Sequence, residues 1–345
     1  MNPVAVSLIV PLRGSDPELE PSLRSLLEQD YPDYEILLIT DEAEDPAAAI
    51  IGRLLADSSR HASRSIRHIV AGPAQRGGQK NYNLLAGVRA AEPSRALLVF
   101  CDGGHWMPPD WLGKLVTPLI EGRAEVSTGY HDMLVPPGNT ASAAQALCVL
   151  FLKALQHVPA LAQPWGGSMA MTRNFYRRVH LEEYWSRQIV DDVSLARLLK
   201  SAGTRVHYVS AAMVKTPGGS TSWSDFPAWL YRQLFFLKIY FPLTWAAGGA
   251  IGYAAALGLV ACLVAGVMKT PAYLAGPAIF TVLGAGLRRG HPSPGTWGAW
   301  LAGGWMALGA ACISHARTLF SRQLTWRGIA YRVSRQGEVY RLPEA

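Results

Sequence analysis

From Phe241 to Met268 the chain reads FPLTWAAGGAIGYAAALGLVACLVAGVM, with no ionisable side chain except that of Tyr253. As a helix rising 1.5 Å per residue, this run could cross a hydrocarbon layer of roughly 30 Å. A chain that carries it must either bury it in protein from end to end or give it to lipid. The absence of polar relief along the run favours lipid. Up to about Tyr240 the sequence mixes charged and apolar residues as a soluble domain does. The expected organisation is therefore a soluble domain over residues 1–225, an amphipathic, interfacial linker over 226–242, a membrane segment over 243–319 and a basic tail over 320–345.

Two further apolar stretches follow the first. PAYLAGPAIFTVLGAGL (Pro271 to Leu287) is short and holds two prolines, whereas WGAWLAGGWMALGAACISHA (Trp297 to Ala316) has tryptophans near one end, as in an interfacial belt. The membrane segment thus counts two to three spans. The spacing of Gly248, Gly252 and Gly258 suits close helix contact in lipid. The net charge of +7 gathers at the borders of these stretches, in Arg288, Arg289, Arg317, Arg322, Arg327, Arg332 and Arg335. Such clusters read as anchors facing anionic lipid on the cytoplasmic side. Nucleic-acid binding would call for basic residues interleaved with aromatics on one soluble face, and that pattern is missing. Cys101, Cys148, Cys262 and Cys312 lie too far apart for a metal motif and read as small buried hydrophobes in a reducing compartment. The opening MNPVAVSLIVPLRGSD has no basic segment before its apolar run, so it reads as a first strand rather than a signal peptide.

Within the soluble part, strands and helices alternate. VAVSLIVPL, YEILLIT, IRHIVAG and RALLVFCD read as strands, and three of them are near-continuous apolar runs, as expected where both faces are covered. SDPELEPSLRSLLEQD, DPAAAIIGRLLADS and KNYNLLAGVRAA read as the helices between them. That alternation predicts an α/β, doubly wound sheet, in which ligands collect at the carboxyl ends of the strands. Those ends are PLRGSD, TDEAED, GPAQRGG and CDGGH, all polar or glycine-rich. Asp102 stands at such a tip with Gly103 and Gly104 beside it, where bare backbone would let a bulky group approach. The same Asp-Gly-Gly also reads as an ordinary turn.

Several segments in order resemble the family-two and family-twenty-one glycosyltransferases of the GT-A fold, and are most similar to the ceramide glucosyltransferases. VSLIVPLRGSDPELEPSLRSLLEQDYPDYEILLI is similar to that family's opening pattern, and DEAEDPA to its acidic segment. KNYNLL resembles its Lys-x-x-Asn-Leu element, CDGGHWMPPDWL its Cys-Asp-Ser-Gly…Pro-Asp element, and GGSMAMTRNFY and IVDDVSLARLLKSAGTRV its later acceptor and base motifs. LTWRGIAYRV is similar to its Trp-Arg-x-x-x-Tyr-Arg ending. The resemblance implies a Rossmann-like mixed sheet flanked by helices and followed by C-terminal transmembrane helices. It also implies transfer of a hexose, with inversion, from a UDP-sugar (UDP-glucose foremost) to a lipid hydroxyl such as that of ceramide.

The resemblance assigns roles residue by residue. Asp102 would ligate a divalent metal, Mg²⁺ or Mn²⁺, which prefer oxygen ligands. The second acid common two positions later in this fold is Gly104 here, as in the ceramide branch, which leaves the second metal ligand open; His105 and His207 are candidates, although a lone histidine is more often an ordinary hydrogen-bonded one. Backbone at Pro11 and Leu12 would flank the uracil, and one of Asp41, Glu42 and Asp45 would accept a hydrogen bond from uracil or ribose; a solvated acidic loop is the plainer reading of those three. Lys80 can hold a phosphate as a point charge, with Asn83 orienting its helix. Asp192 would be the general base that takes the acceptor's proton, and Asp191 would set its pKa by like-charge repulsion. An acid in the first turn of a helix also reads as a simple cap. Trp165, Gly166 and Gly167 suit a sugar ring on an indole face, or equally a glycine turn beside a core tryptophan.

Arg232 and Gln233 match the start of a further family motif, but Phe235 and Phe236 stand where its Arg-Trp belongs. Lys238 offers a substitute cation, and the aromatic pair could instead lie in lipid on an interfacial helix. With the catalytic domain in the cytosol, at a bacterial inner membrane, three spans would leave the arginine-rich tail outside, against the positive-inside tendency. A re-entrant Pro271 to Leu287, or miscounted boundaries, would remove the conflict. Rival readings are a hopanoid-lipid or polyprenyl-phosphate glycosyltransferase and, from another class, an inactive nucleotide-sugar-binding membrane scaffold.

Overall fold

In a computed structural model the described residues are 4–57, 65–219, 221–334 and 338–342; Arg335 of the basic tail lies outside them. The expected alternation forms, with strands β1 (Val6–Pro11), β2 (Tyr34–Thr40), β3 (Ser65–Val70) and β4 (Leu97–Phe100) separated by helices α1 (Leu19–Leu27), α2 (Pro46–Asp57) and α3 (Gln79–Ala90). These four strands are parallel, in the order β3-β2-β1-β4. Beyond them come α4 (Trp111–Ile120), β5 (Val126–Leu134), α5 (Thr140–Gln156), β6 (Met169–Thr172), α6 (Arg173–Arg178), α7 (Leu181–Trp185), α8 (Asp192–Ser201) and β7 (His207–Pro217). β6 inserts antiparallel between β4 and β5, and β7 closes the seven-stranded sheet, which makes it mixed.

The strand period explains why β1 and β2 are apolar at nearly every position. Val6, Leu8 and Val10 of β1 and Ile36 and Leu38 of β2 point into a core shared with α1, α2 and α4. Ile9, Leu37 and Ile39 point the other way, into a core shared with α3, α6, α7 and α8. Side chains alternate across a strand, so a strand with both faces covered admits a polar residue only with a buried partner, as Ser7 of β1 donates to Glu35 of β2 at 2.8 Å.

The chain divides into two compact units. The first holds residues 1–131, 153–216 and 323–345; the second holds 132–152 and 217–322. In the second unit lie α9 (Asp225–Tyr240), α10 (Pro242–Met268), a 3₁₀ turn (Pro271–Leu274), α11 (Ala275–Arg289) and α12 (Trp297–Phe320). Among the described residues one helix is long and apolar enough to cross a membrane, by length and composition: α10, with 27 residues, about 40 Å at helical rise. It exposes Leu243, Ile251, Leu257, Val260 and Val267. α11 has 15 residues and reaches only about 22 Å.

Several sequence expectations change here. Gly248, Gly252 and Gly258 face open space, and the glycine that permits close helix contact is Gly249, buried against the His315 ring of α12. His315 also stacks on Trp245 at 4.5 Å and pairs through Nδ1 with the Tyr253 hydroxyl at 3.0 Å. Trp300 belongs to no belt: it is wholly buried with Met133, Val135, Ala143 and Ala146, and its indole N–H donates to the Gly284 carbonyl. Phe235 and Phe236 are buried as well, which rules out a lipid-facing pair. The Lys238 ammonium is spent on the carbonyls of Thr318, Leu319 and Ser321, where it caps the carboxyl end of α12. It therefore does not stand in for the missing arginine.

The basic stretch past Arg322 is not a loose tail. Strands β8 (Gln323–Trp326), β9 (Ile329–Val333) and β10 (Val339–Arg341) form a second, antiparallel sheet. Arg327 and Gly328 turn the β8–β9 hairpin with φ of 49° and 79°, the left-handed pair that a two-residue hairpin turn needs. This sheet belongs to the first unit. Residues 217–322 thus leave that unit and the chain returns to it at Gln323.

Candidate active site

The site is assembled at one edge of the large sheet, where β1, β2, β4 and β5 end and β6 begins. Its centre is the ammonium of Lys80, which projects from the first turn of α3. Lys80 Nζ lies 2.7 Å from Asp102 Oδ1 and 2.9 Å from Asp191 Oδ1. One cation therefore unites the tip of β4 with the residue that precedes α8. Asp191 is wholly buried, and Lys80 is its carboxylate's only partner among the described residues. Asp192, partly exposed, accepts from the Val193 N–H at 2.6 Å through Oδ1 and from the Gly166 N–H at 3.1 Å through Oδ2.

Local backbone explains this convergence. Gly78, just before α3, lies so close to the Ile189 carbonyl that a side chain there would collide with it, and Gly77 packs on the Ser186 carbonyl in the same way. A methyl on Gly166 would fall 2.6 Å from Asp191 Oδ2 and 2.8 Å from Lys80 Nζ. These glycines are bare because backbone and charged groups fill the space, which is a stricter requirement than a flexible turn. Gly103 departs from expectation: a methyl there would meet Leu12 Cδ2 and Leu19 Cδ1, so its bareness serves core packing rather than ligand access. Gly104 takes the positive φ, 97°, and its N–H donates to Ser22 Oγ.

The electrostatics follow from burial around four charges. Burial alone would lower the Lys80 pKa, but Asp102, Asp191 and Asp192 outweigh it and hold the ammonium above its ordinary value. Burial works upward on Asp102, yet the Lys80 ammonium holds that carboxyl below its ordinary value. Asp191 goes the other way. Burial, with the help of the neighbouring carboxylates and against Lys80, pushes it up to about 7. Burial also raises Asp192, opposed by Lys80 and the two backbone N–H groups.

Among the three acids after β2, the structure separates the roles. Asp45 is consumed by structure: its oxygens accept from the N–H groups of Gly14 and Ala47. Glu42 is exposed. Asp41 is buried, pairs with Arg13 through Oδ2, and keeps Oδ1 without a partner. A buried orphan acceptor at a strand tip is what a ligand N–H or hydroxyl would satisfy. Leu12 lies next to it, its N–H on the Ile39 carbonyl, directly after Pro11. Asn83 faces Gln79, whose amide donates to Asn83 Oδ1 and to the Gly72 carbonyl while its oxygen accepts from the Ala74 N–H. Gln79 thus ties down the loop before α3. The sequence reading passed over it although it adjoins Lys80.

Trp165 is not an open indole platform. His131 stacks on it at 4.4 Å with 6° between the planes, and His105 and Tyr130 pack at 5.0 and 5.3 Å. Gly167 is bare because the Trp165 ring occupies the space its side chain would need. His207 begins β7, nine residues before Thr216, whose hydroxyl touches His105. At about 3.3 Å per residue that is roughly 30 Å away, so His207 is no ligand partner for Asp102. Arg232 and Gln233 sit on α9 in the second unit.

Among the described residues no three His, Cys, Asp or Glu side chains cluster to enclose an ion. Asp102, about one-third exposed, pairs through one oxygen only among the described residues. A single carboxylate of this kind fits Mg²⁺ or Mn²⁺, which keep water and phosphate oxygens for the rest of the shell.

Known proteins share parts of this sequence and fold. A 50-residue stretch is 36% identical to the ceramide glucosyltransferase of Komagataella phaffii; it makes up 14% of this chain, and the chain spans only about a tenth (10%) of that relative's length. Among solved structures, the mannosyltransferase PcManGT from Pyrobaculum calidifontis, in complex with GDP-Man and Mn²⁺, superposes with a TM-score of 0.55 at 18% identity, over 92% of this chain and 88% of its own. Likeness at that identity shows a shared GT-A-like fold. A glucosyl-3-phosphoglycerate synthase from Mycobacterium tuberculosis, in complex with Mn²⁺ and UDP-glucose, is a looser match: TM-score 0.44, 14% identity, 68% of this chain and 78% of that one. Residues 1–339 match the family model of glycosyl transferase family 21. With that match running through β1, Asp102, the Asp191–Asp192 pair and the C-terminal hairpin, the chain belongs to glycosyl transferase family 21.

Proposed function

We propose that this chain is a membrane-anchored, inverting hexosyltransferase that moves glucose from UDP-glucose onto the hydroxyl of a membrane lipid such as ceramide. The observation that carries the reading is the Lys80 bridge, which brings Asp102 and the Asp191–Asp192 pair into one site. Asp192 is the acid with access. Its two backbone hydrogen bonds fix the carboxylate, and each oxygen keeps a lone pair for an incoming hydroxyl. Its raised pKa makes it a better proton acceptor than an ordinary aspartate. The acceptor's O–H proton passes to Asp192 as that oxygen forms a bond to the anomeric carbon. The bond from that carbon to the diphosphate breaks on the opposite face, so an α-linked donor gives a β-linked product.

Asp191, closed off from solvent, seats Lys80 through the 2.9 Å contact of its carboxyl group. From that seat the ammonium meets a diphosphate arriving beside Asp102. A divalent cation on Asp102 would neutralise the negative charge that grows on the leaving diphosphate. Asp41 Oδ1 is the acceptor for the nucleoside end. The mannosyltransferase with GDP-Man and Mn²⁺ supports a sugar-nucleotide donor with a divalent ion; the short match to a ceramide glucosyltransferase and the exposed apolar face of α10 support a lipid acceptor. In this reading the apolar helices over residues 243–319 form a multi-pass membrane segment, and the first unit lies in the cytosol.

The test is UDP release and glycolipid formation by the full chain in lipid nanodiscs with UDP-glucose and ceramide. Asp192→Asn should cut turnover by about 10²- to 10⁴-fold, the usual weight of a general base. Unchanged turnover in that variant removes the base assignment. Transfer that proceeds equally well to a soluble alcohol removes the lipid.

A further inference from the structure

We propose that His105 and His131 form a paired-imidazole subsite for the hydroxyl groups of the transferred hexose, with Thr216 as its positioning residue; the proposal deepens the hexosyltransferase reading above and rests on it. The Thr216 hydroxyl lies 2.8 Å from His105 Nδ1 and 2.6 Å from His131 Nδ1. A hydroxyl has one proton, so it can donate to only one of these nitrogens. The other ring must then carry its proton on Nδ1, which leaves its Nε2 as a bare acceptor. The ring that receives the threonine proton carries its own hydrogen on Nε2 and is a donor. The pair therefore turns one donor and one acceptor outward, the complement of sugar hydroxyls, which both give and receive hydrogen bonds.

Both rings are held for this purpose. His131 lies flat on Trp165, and His105 packs on the same indole. Neither Nε2 has a partner among the described residues, and neither is shut away from solvent. Burial pushes His105 down to about 4 and His131 well below its ordinary value, so both are neutral near pH 7.

Position along the sheet selects the sugar rather than the nucleoside. The orphan Asp41 oxygen follows β2, on the side of β1 away from β4, whereas His131 is on β5 and Thr216 on β7, beyond β4. Trp165 adjoins Gly166, which contacts the Asp191 and Asp192 carboxylates where the anomeric carbon must sit.

The experiment compares binding of UDP with UDP-glucose, and of GDP with GDP-mannose, to the full chain in nanodiscs without acceptor lipid. His105→Phe and His131→Phe keep a ring against Trp165 but lose the nitrogens. Each should weaken sugar-nucleotide binding about five- to tenfold, the scale of one hydrogen bond, and leave the bare nucleotide within twofold. Thr216→Val should shift the same ratio in the same direction, and Thr216→Ser should restore it. Equal weakening of nucleotide and sugar nucleotide, or no weakening in either Phe variant, overturns the subsite. A wild-type chain that binds no sugar nucleotide overturns the underlying reading too, and the wild-type arm alone reveals it.

Discussion

Replacing Gly166 with alanine should stop turnover while the chain stays folded. The added methyl would lie 2.6 Å from Asp191 Oδ2 and 2.8 Å from Lys80 Nζ, where ordinary contact begins at 3.4 Å. Something must retreat by roughly 0.6–0.8 Å, because overlap of that size has no other relief. Asp191 is buried and Lys80 is pinned by two carboxylates, so the strain falls on backbone 165–167. That movement pulls the Gly166 N–H from Asp192 Oδ2, now 3.1 Å away, and turns the base. A misplacement near 1 Å costs on the order of 10²-fold in rate, whereas overpacking costs about 1–3 kcal/mol in stability. Gly166 does not have a positive φ, so the effect is steric and not conformational. UDP release and thermal melting of the full chain measure the two quantities together. Gly52→Ala on α2, where nothing lies within 4 Å, is the control; it should gain about 0.5–1 kcal/mol from helix propensity and leave turnover alone. Turnover of Gly166→Ala within about threefold of the parent would refute the packing argument.

Asp191 makes stability depend on pH. Its folded value of about 7 stands above the ordinary 3.8, so its contribution is fully present below pH 3.8 and is lost as pH rises through 7. Stability should therefore fall as pH rises from about 4 towards 7. Asp191→Asn cannot titrate and should flatten denaturation midpoints between pH 4 and 7; parallel curves for the two proteins would contradict this. Gly103→Ala would bring a methyl within 2.7 Å of Leu12 Cδ2 and 3.0 Å of Leu19 Cδ1, both ends of flexible side chains. It should cost about 1 kcal/mol in a melt and leave UDP affinity nearly unchanged; a large loss of UDP affinity would return Gly103 to the ligand. Cysteines placed at Glu44 and Thr325, both exposed in the first unit, should react with an impermeant thiol reagent from the same face of sealed vesicles. Labelling from opposite faces would mean that residues 45–324 cross the membrane an odd number of times.

What the sequence disclosed depended on range. β1 and β2 were legible because a strand covered on both faces writes its burial into every successive residue. Asp102 and the Asp191–Asp192 pair were legible as local motifs at the ends of such elements. Lys80 was legible as a cation, but its partners were not, since nothing near position 80 says that two acids from distant segments will meet it. His131 and Thr216 carry no local signal at all: they lie 85 positions apart, and only the sheet order joins them. Range also explains the misreadings. A glycine spacing on α10 is visible, but which of Gly248, Gly249 or Gly252 faces α12 depends on helix rotation, which residues on the partner decide. Lys238 looked like a spare cation because a helix C-terminus 80 positions away cannot be seen in the sequence around it.

The same long range makes completion of the site depend on the end of the chain. The Gln79 N–H at the head of α3 donates to the Tyr331 hydroxyl at 3.2 Å, and Arg13 Nε donates to the Arg327 carbonyl at 2.9 Å. Gln79 precedes Lys80, and Arg13 pairs with Asp41, so the C-terminal hairpin braces both the charge bridge and the end proposed to take the nucleoside. Leu324, Ile329, Tyr331 and Val333 are buried in doing so, at about 1.5–3 kcal/mol for each large apolar side chain. A chain ended after Phe320 loses this support while keeping every proposed catalytic residue. It should melt lower and bind UDP at least tenfold more weakly. The pair Tyr331→Phe and Ile329→Ala separates the causes. Loss of one hydrogen bond should cost about 1 kcal/mol and loosen the Lys80 loop, whereas the alanine should cost about 2–5 kcal/mol in stability. If the shortened chain bound UDP as tightly as the full one, the hairpin would be a bystander and the first unit complete without it.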